Sequence, residues 1–109
     1  MAEFAVFMYR PHDADAGEPA ALAEHDAYAR EMTQAGQMTF GRPLASPTAS
    51  VSLRPDSQTE GPYLETAESV VGFYVVQADD LEGALAIARR NPVLRQGGGV
   101  EVRPVGRSG

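Results

Sequence analysis

Two segments of the chain are apolar at almost every position, and both are rich in residues that favour strands. The first, Ala2–Arg10, has apolar residues on both of its alternating faces: Phe4, Val6 and Met8, and Ala5, Phe7 and Tyr9. The second, Ser69–Ala78, is likewise apolar at odd and even positions. Because successive side chains of a strand point to opposite faces, the pattern predicts two central strands that are buried on both faces.

A helical pattern follows each of these two strands. Pro19 suits the first turn of a helix that continues through Ala35, and Gly36 is a natural C-terminal cap. Asp79 and Asp80 favour the start of a second helix, which Pro92 ends. The expected buried stripe of this second helix consists of Leu81, Ala84, Leu85 and Ala88.

Three further strands are predicted, at Gln37–Leu44, around Val51 and Leu53, and at Val100–Val105. The segment Arg54–Tyr63 contains Pro-Asp and Gly-Pro pairs and is predicted to be a turn. The order β-α-β-β-β-α-β indicates an α+β protein of ferredoxin-like plan, in which two helices cover one face of an antiparallel sheet. Residues 1–109 form a single domain in this interpretation.

Two helices can cover only one face of such a sheet. The strands at Ala2–Arg10 and Ser69–Ala78 nevertheless carry apolar residues on both faces. An uncovered face of this kind would be a large exposed apolar patch. A second copy of the chain, related by a two-fold axis, is the simplest cover, so we expect a homodimer that forms an α+β barrel.

Composition narrows the functional classes. The 109 residues are 43% hydrophobic and carry a net charge of −6, which argues against a nucleic-acid-binding protein. No stretch is apolar enough to cross a membrane, and no basic segment precedes an apolar one at the N-terminus, so a cytoplasmic protein is expected. Cysteine and lysine are both absent, which excludes disulfides, thiolate chemistry and Schiff bases on lysine.

His25 is the most informative candidate for chemistry. At 100° per residue it falls in the middle of an apolar arc made by Ala21, Leu22, Tyr28, Ala29 and Met32. Its imidazole should therefore point toward the space between the first helix and the sheet. Histidine side chains ordinarily titrate near neutral pH and serve as proton carriers. The alternative is a structural histidine that only donates a hydrogen bond to a backbone carbonyl.

A catalytic histidine works best with a partner that orients it. The carboxylates that could serve are Glu60, Asp13, Asp15, Glu65 and Asp26. Glu60 is the preferred candidate, because it begins a Gly-Pro turn that could border a pocket. The alternative for Glu60 is a turn residue whose carboxylate caps backbone amides. Asp26 adjoins His25 on the helix and points elsewhere.

Other residues could bind a substrate. Arg10 and Arg42 could hold a carboxylate, phenolate or enolate oxygen, and Tyr9 and Tyr63 could line a pocket for a flat molecule. Surface salt bridges for the arginines, and core or dimer contacts for the tyrosines, are the alternatives. The run His-Asp-Ala-Asp at 12–15 resembles a metal-binding sequence but is predicted to be a solvated turn, and we expect neither metal nor cofactor.

Several short motifs together resemble the YCII-related (DGPF) family. They are EGPYLETAE at 60–68, VVGFYVV at 70–76, the Asp-Asp-Leu helix start at 79–81 and VEVRPV at 100–105. The chain departs from the family pattern at three positions. Glu60 replaces the usual aspartate, Tyr63 replaces a phenylalanine, and Ala67 stands where a lysine is common.

The resemblance implies a dimeric α+β barrel that handles a small molecule, with a histidine on the first helix that His25 matches. One implied activity is a cofactor-independent lyase, isomerase or cyclase acting on an aromatic or polyketide-like substrate. The other is a non-catalytic ligand-binding or accessory protein that works with a sigma factor of the extracytoplasmic-function type. Fold resemblance alone does not choose between them.

Overall fold

A computed structural model describes residues 1–12 and 19–106. Within these residues the regular elements are β1 (Ala2–Pro11), α1 (Pro19–Gln34), β2 (Met38–Pro43), β3 (Val51–Arg54), β4 (Ser57–Glu60), β5 (Glu68–Ala78), α2 (Leu81–Ala88) and β6 (Gly99–Pro104). Two short 3-10 helices, Pro47–Ala49 and Pro92–Arg95, connect some of them. No helix among the described residues is long and apolar enough to span a membrane.

The main sheet has four strands in the order β2-β5-β1-β6, and every neighbouring pair is antiparallel. The two strands predicted to be central, β1 and β5, do lie in the middle. Their register places Phe7 opposite Phe73 and Val6 opposite Tyr74. This order and the two helices confirm the predicted α+β fold of ferredoxin-like plan.

The segment Arg54–Tyr63, which the sequence predicted to be rich in turns, also contains a strand that was not predicted. Residues 57–60 form the strand β4, which pairs with β3 as an antiparallel hairpin around Pro55 and Asp56. The sequence of β4 is Ser-Gln-Thr-Glu, and all four residues are exposed. A strand without apolar positions gives no alternation to detect, which explains the error.

One face of the main sheet, called here the inner face, packs against both helices. Its buried apolar residues are Phe4 and Val6 of β1 and Tyr74, Val76 and Ala78 of β5. Tyr28 and Met32 of α1 and three residues of α2, namely Ala84, Ile87 and Ala88, complete the core. The predicted stripe of α2 was therefore wrong in part, because Ile87 is buried whereas Leu81 is exposed.

The opposite face of the sheet, called here the outer face, carries Ala5 and Phe7 of β1 and Phe73 and Val75 of β5. All four residues are only half-buried. The ring of Phe40 in β2 lies 5.9 Å from that of Phe73 and is exposed. Apolar side chains thus extend across the three strands β2, β5 and β1 on the face that the two helices leave free.

Candidate functional site

A cavity of about 650 Å³ lies between α1 and the inner face of the sheet, and we call it the α1 cavity. Its walls come from α1, the ends of β1 and β2, the segment that follows β2, the start of β5 and the second 3-10 helix. The polar side chains that line it include His12, His25, Arg10, Ser69 and Gln96. Elements that are far apart in sequence therefore bring several proton-carrying and cationic groups to one space.

Small residues leave room for this cavity. Ala21 and Ala29 face it from α1, and Gly41 and Gly72 line it from the sheet. A Cβ atom at Gly41 would lie 2.7 Å from Cβ of Tyr74, a distance at which one of the two strands would have to move. Because the side chains on both walls are short, they do not fill the space between α1 and the sheet.

His25 is half-buried on α1 and is held by Gln96. The distance from His25 Nε2 to Gln96 Oε1 is 2.9 Å. A carbonyl oxygen only accepts, so Nε2 carries the hydrogen of this bond and Nδ1 is left with a free lone pair. Gln96, which follows the 3-10 helix Pro92–Arg95, was missed in the sequence because its partner lies 71 residues away.

His12 forms a second pair within the same cavity. Its Nδ1 lies 2.8 Å from Oγ of Ser69, and its backbone N–H donates to the carbonyl of Ala67 at 2.7 Å. Ser69 is buried, with 7% of its surface exposed, whereas His12 is exposed. The sequence assigned His12 to a solvated turn with Asp13 and Asp15, and these two aspartates lie outside the described residues.

No group of acidic or histidine side chains with the spacing of a metal site occurs within residues 1–12 and 19–106.

Arg10 lies beside the pair formed by His12 and Ser69. Arg10 and Ser69 are register partners in β1 and β5 and share the inner face. From the other side, the backbone of Gly98 approaches so closely that a Cβ there would lie 3.4 Å from Cγ of Arg10 and 2.3 Å from the carbonyl oxygen of Tyr9. The Nε of Arg10 is buried and finds no hydrogen-bond partner within the described residues. Because protein atoms cover Nε, a ligand in the cavity could meet only the terminal nitrogens of this guanidinium.

Arg42 borders the α1 cavity and is exposed, but its register partner in β5 is Phe73. Its side chain therefore lies on the outer face, where its guanidinium carbon is 4.6 Å from the ring centre of Phe40. Nη1 donates to the carbonyl of Gly41 at 2.7 Å. The structure thus directs the charge of Arg42 away from the space that His25 lines.

A buried hydrogen-bond chain bounds the α1 cavity where it meets the core. Asn91 Nδ2 lies 3.1 Å from the Tyr74 hydroxyl, which lies 2.9 Å from that of Tyr28, and Tyr28 donates to the carbonyl of Ile87 at 2.8 Å. Burial raises the pKa of the Tyr28 hydroxyl, and its bond with Tyr74 adds to the effect. Burial likewise raises the pKa of Tyr74. Both hydroxyls therefore stay protonated and serve as structural groups.

The remaining candidates from the sequence lie elsewhere. Glu60, the preferred carboxylate, is exposed at the end of β4 and lines neither the α1 cavity nor the second cavity described next. Among the other carboxylates, Asp26 lines the α1 cavity from an exposed position, and Glu65 is exposed. The group that orients His25 is an amide instead of the carboxylate that the sequence suggested.

Tyr9 and Tyr63 line a second cavity, of about 630 Å³, between the sheet and the β3–β4 hairpin. Tyr9 points away from the inner face, since it follows Met8 and precedes Arg10 along β1. The guanidinium carbon of Arg54 lies 4.1 Å from the ring centre of Tyr63. The structure thus places the two tyrosines apart from His25.

Comparisons with known proteins agree with the resemblance noted in the sequence. The family profile of the YCII-related domain matches residues 2–107. An uncharacterized protein of Rhizobium meliloti is 33% identical over an alignment of 92 positions, and this alignment covers 77% of this chain and 72% of that protein.

Proposed function

The chain belongs to the YCII-related domain family, and we propose that it binds a small, partly apolar anion in the α1 cavity and moves a proton of that molecule with His25. The reaction is of the lyase, isomerase or cyclase type. The proton transfer that we propose needs no cofactor. Aromatic acids, phenols and polyketide-like compounds are the substrate classes that combine a flat apolar body with an acidic oxygen.

The single observation that supports this proposal most strongly is the bond between His25 and Gln96. The amide of Gln96 fixes the imidazole through Nε2 at 2.9 Å without adding a charge, and it leaves Nδ1 as the basic nitrogen. A histidine that only stabilises the fold does not need a neighbouring cavity, whereas His25 lines one of about 650 Å³. A held imidazole beside a space of ligand size is the arrangement that general base catalysis requires.

Charge favours an anionic ligand. Arg10, whose guanidinium is always charged, lines the cavity and shares the inner face with Ser69. Apolar contacts for the body of the ligand come from Met8, Met32 and Met38. Methionine side chains adapt to flat ligands because they are flexible and polarizable.

A thermal-shift screen with matched pairs tests the binding. Phenylacetate and phenethylamine have the same apolar body and opposite charge, so the proposal expects only the acid to raise the melting temperature. Arg10→Met should reduce that shift, whereas Gln58→Ala on the exposed strand β4 should not. No shift with any aromatic acid, phenol or polyketide fragment, together with tight capture of a sigma factor of the extracytoplasmic-function type, would contradict the proposal.

His25→Gln and His25→Ala test the chemistry. Glutamine keeps much of the volume of histidine and one hydrogen-bonding edge but cannot carry a proton near neutral pH. We therefore expect His25→Gln to retain the binding shift and to lose hydrogen–deuterium exchange at the acidic carbon of a bound ligand, measured by NMR. Exchange at the wild-type rate in the glutamine variant would show that His25 is only a packing residue.

We further propose that the chain is a homodimer whose copies pair through their outer faces. Half-buried Phe7 and Phe73 lie opposite each other there, and both helices pack on the inner face. Light scattering at micromolar concentration should give twice the chain mass of 11.6 kDa. A monodisperse monomer would contradict the pairing.

A further inference from the structure

We infer that His12, bonded to Ser69, is a second proton carrier of the α1 cavity, and that the two histidines together interconvert the keto and enol forms of an α-keto acid. The inference rests on the proposed function, since it takes His25 as the base. It adds His12 as a second catalytic residue, Ser69 as the residue that positions His12, and α-keto acids as the substrate class.

The two histidines are held through opposite ring nitrogens. His25 is held through Nε2 by a carbonyl oxygen, and its Nδ1 forms no hydrogen bond within the described residues, so we assign Nδ1 as the nitrogen that takes a proton. His12 is held through Nδ1 by the Ser69 hydroxyl, which leaves Nε2 as the nitrogen that can give one. The Ser69 hydroxyl can accept from Nδ1–H both when the ring is charged and after the ring has given up its Nε2 proton. Ser69 can therefore hold His12 in both protonation states, as a group that gives and regains a proton requires.

Arg10 lines the same cavity as these two pairs. It precedes His12 by two residues, and its register partner in β5 is Ser69. A carboxylate bound to the Arg10 guanidinium would therefore lie near the pair of His12 and Ser69, in the cavity that His25 also lines.

This arrangement suits a carbonyl carbon that neighbours the carboxylate. His25 Nδ1 takes a proton from the carbon beside the ketone, and the electron pair of that C–H bond forms the carbon–carbon double bond. The π pair of the carbonyl moves to its oxygen, which takes the Nε2 proton of charged His12. Water then removes the proton from His25 and returns one to His12, which is exposed. No electrons leave the substrate, and the reverse sequence converts enol to ketone.

The walls of the cavity select a substrate with an apolar substituent. Leu22, Met8 and Met32 surround the polar groups, and the volume of about 650 Å³ exceeds the space that a small aliphatic keto acid fills. An aryl-substituted α-keto acid meets both requirements. Phenylpyruvate is the simplest such compound, and its enol absorbs in the ultraviolet, so it serves as the probe.

The experiment adds phenylpyruvate enol to the wild-type chain and follows the loss of enol absorbance. We expect His12→Gln to lower kcat by about 100-fold or more, the usual contribution of a general acid, while KM stays near the wild-type value. Added imidazole should restore much of the activity of His12→Ala, because the exposed position leaves room for the free base. Ser69→Ala should lower kcat less than His12→Gln does, since it only frees the ring to rotate. Gln58→Ala on β4 is the control and should match the wild type.

The outcomes separate this inference from the proposed function. If His25→Gln loses activity and His12→Gln keeps it, the second proton carrier is wrong and the proposed role of His25 stands. If both variants keep activity, both proposals are wrong. An increase in KM at unchanged kcat would make His12 a binding group and overturn the inference. A wild-type chain that fails to bind phenylpyruvate, or binds it without accelerating the reaction, overturns the substrate class.

Discussion

The two helices lie over the same face of one sheet but meet it in different ways. Under α2, the side chains of Ala84, Ile87 and Ala88 are all at most 7% exposed, and they pack directly on the strands. Under α1, Tyr28 and Met32 near the C-terminal end are buried, whereas Leu22 near the N-terminal end is 49% exposed and borders a cavity. The half of the sheet under α2 and the end of α1 thus stabilises the fold, and the other half is left open for a ligand.

Deletion of a side chain from each helix would test this difference most strongly. Ile87→Ala should lower the free energy of unfolding by about 2–5 kcal/mol, because it leaves a hole in a filled core. Leu22→Ala should change it by about 0.5 kcal/mol or less, because the side chain is largely solvated already. Urea unfolding of the two variants measures both values. Equal losses would mean that α1 and α2 contribute alike and that the cavity is not open.

The converse test enlarges one alanine side chain in each helix to leucine. Ala84 is fully buried under α2, so Ala84→Leu should cost about 1–3 kcal/mol through overpacking. Ala29 of α1 lines the cavity, so Ala29→Leu has space to enter and should cost well under about 1 kcal/mol. The same variant should reduce the thermal shift with phenylacetate. A large loss of stability in Ala29→Leu, measured by urea unfolding, would contradict the comparison.

The tyrosines at the border between the two halves have no effect of this kind at neutral pH, and their contribution depends on pH. Burial raises the pKa of Tyr28 and Tyr74, so the folded protein keeps protons that the unfolded chain releases above about pH 10. The free energy of unfolding should therefore be unaffected by these groups below that pH. Above it, stability should fall by up to about 1.4 kcal/mol per pH unit for each tyrosine.

Two variants test whether Tyr28 causes the fall in the free energy of unfolding at alkaline pH. Tyr28→Phe should lower the free energy of unfolding by about 1 kcal/mol at neutral pH, because the variant cannot form the hydrogen bond to the Ile87 carbonyl. Above about pH 10 the stability of this variant should fall less steeply than that of the wild type. The control is Tyr63→Phe, since Tyr63 is exposed and should leave the slope unchanged. Urea unfolding at several alkaline pH values provides the slopes. An unchanged slope in Tyr28→Phe would mean that its hydroxyl titrates as an exposed one does.

Much of the fold could be predicted because its main strands and helices leave local hydrophobic patterns in the sequence. The continuous apolar runs of β1 and β5 and the periodicity of the helices are local signals, and they identified both central strands and both helices. The exposed strand β4 has no such pattern, and the rotation of α2 that buries Ile87 in place of Leu81 depends on how the helix docks. Local patterns do not carry that information.

The site could be predicted only in part. The position of His25 on α1 follows from helical spacing, and the structure places it beside a cavity. Its partner Gln96 and the pairing of His12 with Ser69 join residues 71 and 57 positions apart, and no spacing rule connects them. A glutamine in a turn after a 3-10 helix resembles any solvated residue until the chain is folded. Glu60 was the preferred carboxylate because of the Gly-Pro turn that follows it in the sequence, and the structure places it away from the cavity.

Gly98 contributes no functional group, yet the geometry around Arg10 depends on it. Any side chain there would meet the carbonyl oxygen of Tyr9 at 2.3 Å and Cγ2 of Val93 at 2.6 Å. A side chain at such a position would force β6 or the end of β1 to move, because one of the clashes is with backbone. In a library of random variants selected for activity, we expect replacements of Gly98 to be lost as often as those of His25. A survey that looked only for reactive side chains would overlook the residue that keeps β6 against the end of β1.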